Sequence, residues 1–234
     1  MLVSEFVKIE DVGTGMAYIS APVHSGEQSP KEIAAKIYGE VAAYLESSRA
    51  EIVQERLYGN REVHEDALSG RTEGLGRDRV DDLPAPTYVE GKPIWGTGLA
   101  GVHIIAAVHG GAAQCEVSNL ECKGRICGRL LRRFDTEFFF LGDIGRSLGV
   151  SPDLPRGDQA REIIQGTEDF LKSHGLQFNN VVRTWFYLDD ILDWYSEFNN
   201  ERNKIYTRAN LFGRGDDNLL PASKIGRASC RERV

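Results

Sequence analysis

An internal repeat constrains this chain more than any other feature of its sequence. Ala34 to Ser47 reads AAKIYGEVAAYLES and Ala160 to Ser173 reads AREIIQGTEDFLKS, which aligns Ile37 with Ile163, Tyr44 with Phe170 and Leu45 with Leu171. Self-similarity at this spacing means that one supersecondary unit is used twice. Both segments have helical periodicity. In the first, Ile33, Ile37, Val41 and Leu45 recur every four residues, and Tyr44 widens the same stripe. Ser29-Pro30-Lys31-Glu32 is a capping box with proline at the first helical position. The second helix is expected to start at Asp158 and to stop at Gly175.

Each helix precedes a strand-like run. Ile52 to Tyr58 (IVQERLY) matches Val181 to Tyr187 (VVRTWFY) at a slightly larger offset, as an insertion in the helix–strand loop would produce. Leu83-Pro84-Ala85-Pro86 then matches Leu220-Pro221-Ala222-Ser223. In the first copy a Gly-rich bend and the apolar strand Leu99 to Val108 follow. Further strands are expected at Met16 to Ser20, Gln114 to Leu120 and Glu137 to Leu141, and Phe138-Phe139-Phe140-Leu141 suits a strand covered on both faces. The charged, Gly-containing stretch Glu62 to Asp82 reads as a long loop. The expected fold is α/β (α+β), with a mixed sheet packed against helices in each of two tandem units.

The expected boundaries are residues 1–113 for the first unit and 114–223 for the second, which is incomplete. Lys224 to Val234, KIGRASCRERV, is what a common short-read sequencing adapter encodes in one frame up to its own stop codon. Residues 224–234 are therefore expected to be a non-native tail, and Arg227, Arg231 and Arg233 to carry no function. A second unit without its last wall is expected to be inactive and prone to aggregate.

A formal net charge of −7 argues against a general nucleic-acid binder. The acidic N-terminus has no apolar signal core, and the longest apolar run, Leu99 to Val108, is about half a membrane span. A cytoplasmic protein with no membrane partner follows as the expectation. Cys115, Cys122 and Cys127 form no Cys-x-x-Cys pair, and Cys230 lies in the tail, so neither a disulfide framework nor a zinc site is expected. The histidines His24, His64, His103, His109 and His174 are scattered, so no metal is expected. Gly96-Thr97-Gly98-Leu99-Ala100-Gly101 satisfies GxGxxG but precedes a strand, whereas a dinucleotide site needs a helix there. Turn glycines are the better account, and no cofactor is expected. Asp81-Asp82, Asp189-Asp190 and Asp216-Asp217 read as solvated turn carboxylates, with Asp189 or Asp190 able to cap the next helix.

Two segments offer binding chemistry. Lys123, Arg125, Arg129, Arg132 and Arg133 form a basic cluster, read either as an anion site or as a solvated face or subunit contact. In the segment Asp190 to Arg208, Trp194, Tyr195, Phe198, Asn199 and Arg202 fall at helical spacings. One helix face then carries aromatic, amide and guanidinium groups, which suits a small ring-bearing carboxylate. A core-facing aromatic stripe is the alternative.

The order Phe138 to Ile144 (FFFLGDI), helix, Asn180 to Asp190 (NVVRTWFYLDD), then Leu220-Pro221-Ala222 resembles the Rid superfamily, the YjgF-like proteins. Trp185 to Tyr195 (WFYLDDILDWY) followed by Phe198-Asn199 is similar to the chorismatase branch, which is built from tandem units. The resemblance implies two chorismate-mutase-like, Rid-type units, a homo-trimer for the intact protein and sites near subunit interfaces. It implies a small-molecule carboxylate substrate and, for the chorismatase branch, release of pyruvate from chorismate. Tyr195, Asn199 and Arg202 are the expected substrate contacts, and the general acid is expected beyond the end of the native sequence. Rid deaminases, the alternative, hold the substrate carboxylate with an arginine after Pro-Ala; Ser223 stands at that position here, and Pro86 in the first copy. A non-catalytic metabolite-binding protein is a third reading.

Overall fold

The structure is a computed structural model that describes residues 2–3, 6–11, 15–23, 28–93, 96, 98–110, 115–212 and 220–228; of residues 2–3 and 224–228 it describes the backbone alone. His24, Thr97, Gln114, Asp216, Asp217 and Cys230 lie outside the described residues, as do residues 229–234 of the expected tail. The chain divides into two compact units, Met1–Asp143 and Ile144–Val234.

The first unit is built on a six-stranded sheet of order β1-β2-β3-β6-β4-β5. Its strands are β1 (Leu2–Val3), β2 (Lys8–Asp11), β3 (Met16–Pro22), β4 (Ala50–Gly59), β5 (Thr87–Glu90) and β6 (Leu99–Val108). All neighbours are antiparallel except β4 and β5. Alternation sends Ala17, Ile19 and Ala21 of β3 and Val102, Ile104 and Ala106 of β6 to one face. There they meet Ile33, Ile37, Val41 and Leu45 of helix α1 (Pro30–Ser47), the stripe expected from the sequence. The capping box is present: Glu32 N donates to Ser29 Oγ (3.3 Å) and Ser29 N donates to Glu32 Oε2 (2.9 Å).

Residues 62–82, expected as a loop, are mostly helical. They form helix α2 (His64–Leu75) and the short α3 (Arg77–Asp81). The glycines that suggested a loop let the helix backbones meet. A Cβ on Gly70 would lie 2.3 Å from Lys31 O and 2.7 Å from Ala34 Cβ, and one on Gly74 would lie 2.6 Å from Tyr38 Cβ. The low helix propensity of glycine is overridden by packing that a larger residue would prevent.

A three-stranded antiparallel sheet, β7 (Cys115–Cys122), β8 (Arg125–Arg133) and β9 (Thr136–Leu141), completes this unit. Leu131 packs with Val53 and Ala107, flanked by Cys115, Val117 and Phe140. That contact is why the compact unit extends to Asp143, past the boundary expected at residue 113. β9 is an edge strand of its sheet and Phe138 is 45% exposed, so the run is not covered on both faces within this unit. The Gly96–Gly101 stretch leads into β6, and a Cβ on Gly101 would lie 2.6 Å from Ala21 O, so this glycine serves strand packing rather than a phosphate.

The second unit holds helices α4 (Ile144–Leu148), α5 (Arg156–Ser173) and α6 (Ile191–Arg208) with strands β10 (Arg183–Asp189) and β11 (Ala222–Ala228). β10 and β11 are parallel, with Thr184 opposite Ser223. Helix α5 begins two residues before the expected Asp158, directly after Pro155. It ends as expected at Gly175, whose φ is 72°, where Gly175 N reaches Lys172 O and Leu176 N reaches Leu171 O. Ala160, Ile164, Leu171, Leu188, Phe198, Ile205 and Tyr206 form the core. Residues 224–228 pair along β10 through their backbone. A parallel ladder uses only main-chain N–H and C=O groups, so it is indifferent to which side chains this segment carries.

Candidate functional site

Helix α6 positions the residues singled out by the sequence. Phe198 is 1% exposed and packs edge-on against Phe186 and Trp194, so the aromatic stripe is in part core, as the alternative held. Tyr195 is displaced by about one turn-third from that stripe and is 45% exposed. Asn199 donates from Nδ2 to Tyr195 O (2.9 Å), while its Oδ1 is buried without a hydrogen-bond partner among the described residues. Arg202 lies over the rings of both Phe198 and Tyr206, with its Cζ 5.7 Å and 5.8 Å from the ring centroids. Its Nε and Nη2 donate to Asn203 Oδ1 at 3.3 Å and 3.2 Å. A guanidinium has five N–H donors, so Arg202 retains capacity for a carboxylate.

Tyr206, which the sequence reading did not select, joins this group one helical turn further on. Burial pushes its phenol pKa up, and the hydroxyls of Thr184 and Ser223 with the Arg202 charge oppose that rise. Thr184 and Ser223 face each other across the parallel strands, 2.8 Å apart at their hydroxyls. The α6 face thus meets the β10–β11 pair in a patch of hydroxyls, one amide and one cation. Tyr206 was missed because a buried tyrosine at core spacing carries no sequence sign of what its hydroxyl touches.

Asp189 is a correction to the reading of solvated turn carboxylates: it is 5% exposed. Arg156 Nη2 holds Asp189 Oδ2 at 3.2 Å and Asp190 Oδ2 at 3.3 Å, and Trp194 Nε1 donates to the Asp189 carbonyl at 2.7 Å. Asp190 occupies the helix N-cap in the left-handed region (φ 40°) but its side chain makes no capping hydrogen bond. The N-terminus of α6 is therefore anchored by Arg156 and by the Trp194 indole at a kink, not by an aspartate cap.

The basic cluster on β8 is not an anion site at its centre. Arg129 is 3% exposed and its guanidinium is taken up by Glu51 Oε2 (2.8 Å), Asp82 O (3.1 Å) and the Asn119 side chain. Arg132 is paired with Glu137 (2.7 Å) and Glu116 (3.5 Å).

A second polar cluster lies inside the first unit. The β4 ladder slips between Ile52 and Gln54, and this bulge turns Glu55 towards the helices instead of away from them. Arg71 donates to both Glu55 oxygens (Nε at 2.9 and 3.0 Å, Nη2 at 2.8 Å), and the Tyr38 hydroxyl donates to Oε1. Burial, then the Glu55 charge, holds the Tyr38 phenol far above its usual range. The group is fully paired and enclosed. Beside it a cavity with room for about one water is lined by Gln54, Glu55, Leu83, Pro84, Ala85 and Gly142. Its role is to lock α1, α2 and β4 together. Among the described residues no group of three or more His, Cys, Asp or Glu could hold a metal ion, and no helix is long and apolar enough to cross a membrane.

No protein-family model matches this sequence, and no curated protein matches it. Among solved structures, a crystal structure of chorismatase at 1.08 Å resolution superposes with a TM-score of 0.58 at 14% identity, covering 99% of this chain and 74% of that one. At that identity the likeness establishes the fold. The chain has a chorismatase-like α+β fold, with a mixed sheet packed against helices.

Proposed function

We propose that this protein belongs with the chorismatase-like enzymes and acts on chorismate or a related small carboxylate, releasing pyruvate from an enol ether. The observation that carries the reading is the α6 patch, where Arg202 keeps unspent donors beside the solvent-facing Tyr195 and the Asn199 oxygen, unpartnered among the described residues. Leaving a buried acceptor unpaired costs about 1–3 kcal/mol, and a ligand hydroxyl would recover it. Arg202 then takes the substrate carboxylate, Tyr195 covers the ring, and Asn199 accepts from a ring hydroxyl once its amide turns outward. Hydrolysis of the enol ether adds a proton to its methylene carbon and water to the adjacent carbon; collapse of that adduct gives pyruvate and the ring alcohol. The proton donor needs a raised pKa and a carboxyl group is the expected one, so it is none of these three side chains.

Two further features support the assignment to the tandem, Rid-type architecture. Each compact unit runs helix, strand, helix, parallel strand: α1, β4, α2 and β5 in the first, α5, β10, α6 and β11 in the second. Ser223 presents a hydroxyl bonded to Thr184 where Rid deaminases carry their carboxylate-binding arginine, which favours enol-ether chemistry over imine hydrolysis. A homo-trimer is the proposed assembly of the protein; the exposed Tyr18 and Phe138 suit faces that subunits cover.

The test is pyruvate release from chorismate, followed with lactate dehydrogenase, beside calorimetric titration of chorismate. Arg202→Ala should weaken binding by about 10²-fold, the loss of a charge-assisted pair worth roughly 2–3 kcal/mol. The absence of both chorismate turnover and chorismate binding would sink the proposal; ammonia release from 2-iminobutyrate would move it to the deaminases. Binding without turnover by a protein that carries a carboxyl group able to serve as proton donor would leave a metabolite-binding protein.

A further inference from the structure

A nucleophile, a base and a carboxylate stand in line in the first unit, away from the α6 patch. Cys115 Sγ, at the start of β7, is 3.4 Å from His109 Nδ1. On the other side of the ring, Glu51 Oε1 of β4 is 2.7 Å from His109 Nε2, off the line of its N–H. Arg129 holds the second Glu51 oxygen at 2.8 Å, and the His109 backbone N–H is tied to Arg49 O at 2.8 Å. The imidazole is thereby fixed from three directions. We propose that Cys115, His109 and Glu51 form a proton relay that makes Cys115 a site of mixed-disulfide formation with small disulfides.

The tautomer follows from the neighbours. The Glu51 charge, 2.7 Å from Nε2 though off the line of its N–H, favours a proton on that nitrogen, so in the neutral ring Nδ1 presents its lone pair to the Cys115 thiol, which also reaches Val108 O at 3.4 Å. Nδ1 is also 3.0 Å from the Cys115 carbonyl oxygen. That oxygen repels a bare nitrogen lone pair and accepts from a protonated one. The imidazolium formed when the thiol proton moves to Nδ1 therefore gains an acceptor at Nδ1 and the Glu51 charge beside Nε2. In the exchange, Cys115 sulfur attacks one sulfur of the disulfide, the S–S bond of the reagent breaks, and the departing thiolate takes the proton from His109. One thiol and one disulfide give one mixed disulfide and one thiol.

The resting thiol is not already ionised. Burial pushes the Cys115 pKa up, Arg133 opposes this, and Glu51 adds to it. A base that acts during attack is thus required, rather than a standing thiolate. The charged groups facing the pair are Glu51 from β4 and Arg129 and Arg133 from β8. The other described thiols lack this setting. Cys127 is fully buried and has its pKa pushed up to about 12. Cys122 has no histidine beside it among the described residues.

The experiment treats a Cys230→Ser chain with oxidised glutathione and maps the adducts by peptide mass spectrometry at several pH values. Cys115 should be modified first, and near neutral pH its rate should rise less steeply with pH than that of Cys122. His109→Gln should slow Cys115 by about 10²-fold near pH 7, the low end for a positioned base, and the gap should close as the pH rises far enough for the thiol to ionise unaided. Glu51→Gln should slow it less, in the same direction. Faster modification of Cys122, parallel pH profiles for the two thiols, or a His109→Gln defect that persists at high pH would each overturn the relay.

Discussion

The glycine contact between α1 and α2 makes a prediction whose sign depends on geometry alone. Replacing a mid-helix glycine by alanine ordinarily stabilises a helix by about 1 kcal/mol, because the unfolded chain loses conformational freedom. At Gly39 a Cβ would meet nothing within 4 Å, so Gly39→Ala should raise stability by about that amount. At Gly70 the same Cβ would sit 2.3 Å from Lys31 O and 2.9 Å from Ala35 N; at Gly74 it would sit 2.6 Å from Ala35 O and 2.8 Å from Gly39 N. Those obstacles are backbone atoms, which cannot swing aside. The helices must separate, and Arg71, which lies between the two glycines in sequence, is drawn from Glu55. Overpacking of this kind costs about 1–3 kcal/mol, which outweighs the propensity gain. Gly70→Ala and Gly74→Ala should therefore each lose about 1–2 kcal/mol net, and Gly39→Ala should gain. Urea unfolding followed by circular dichroism reads all three against the parent. A Gly70→Ala protein as stable as Gly39→Ala would refute the close helix contact.

Glu55→Leu alone should destabilise by about 3–5 kcal/mol because it strands the buried Arg71 charge, whereas the double change Glu55→Leu, Arg71→Leu should recover most of that loss; a double-mutant cycle in urea checks the coupling. In the second unit burial acts to raise the Glu168 pKa, but Arg208, Lys172 and Gln165 bond the carboxylate and bring the net shift downwards. A lowered carboxyl pKa contributes stability that is present above the unfolded value, about 4.3, and disappears as pH falls through the folded one. Urea midpoints measured from neutral pH down to about pH 3 should fall less steeply for Glu168→Gln than for the parent, and identical slopes would count against the assignment.

Local signals were enough for the elements whose stability is local. Ser29, Pro30 and Glu32 announce the start of α1, the four-residue stripe from Ile33 to Leu45 names its buried face, and Gly175 marks the end of α5. These depend on contacts within one helical turn, or on one residue's backbone preference. The α+β architecture was legible for the same reason, from periodicity and short motifs, while its chorismatase-like form rested on the resemblance carried by Trp185 to Tyr195. What only tertiary structure decided involves partners distant in sequence. Gly70 and Gly74 read as loop residues until α1 lies against them. Glu55 points inward only because β4 slips one residue against β6, and Asp189 is buried only because Arg156 comes back to meet it. Arg129 looked like part of a binding patch until Glu51, Asp82 and Asn119 closed around it. In the α6 face, spacing placed Tyr195, Asn199 and Arg202 on one helix, but the Phe198 and Tyr206 rings under Arg202 and the hydroxyls of Thr184 and Ser223 came from packing. A side chain's charge and shape are sequence properties; whether that charge is spent inside the protein or left for a ligand is set by what the fold brings within about 3 Å of it.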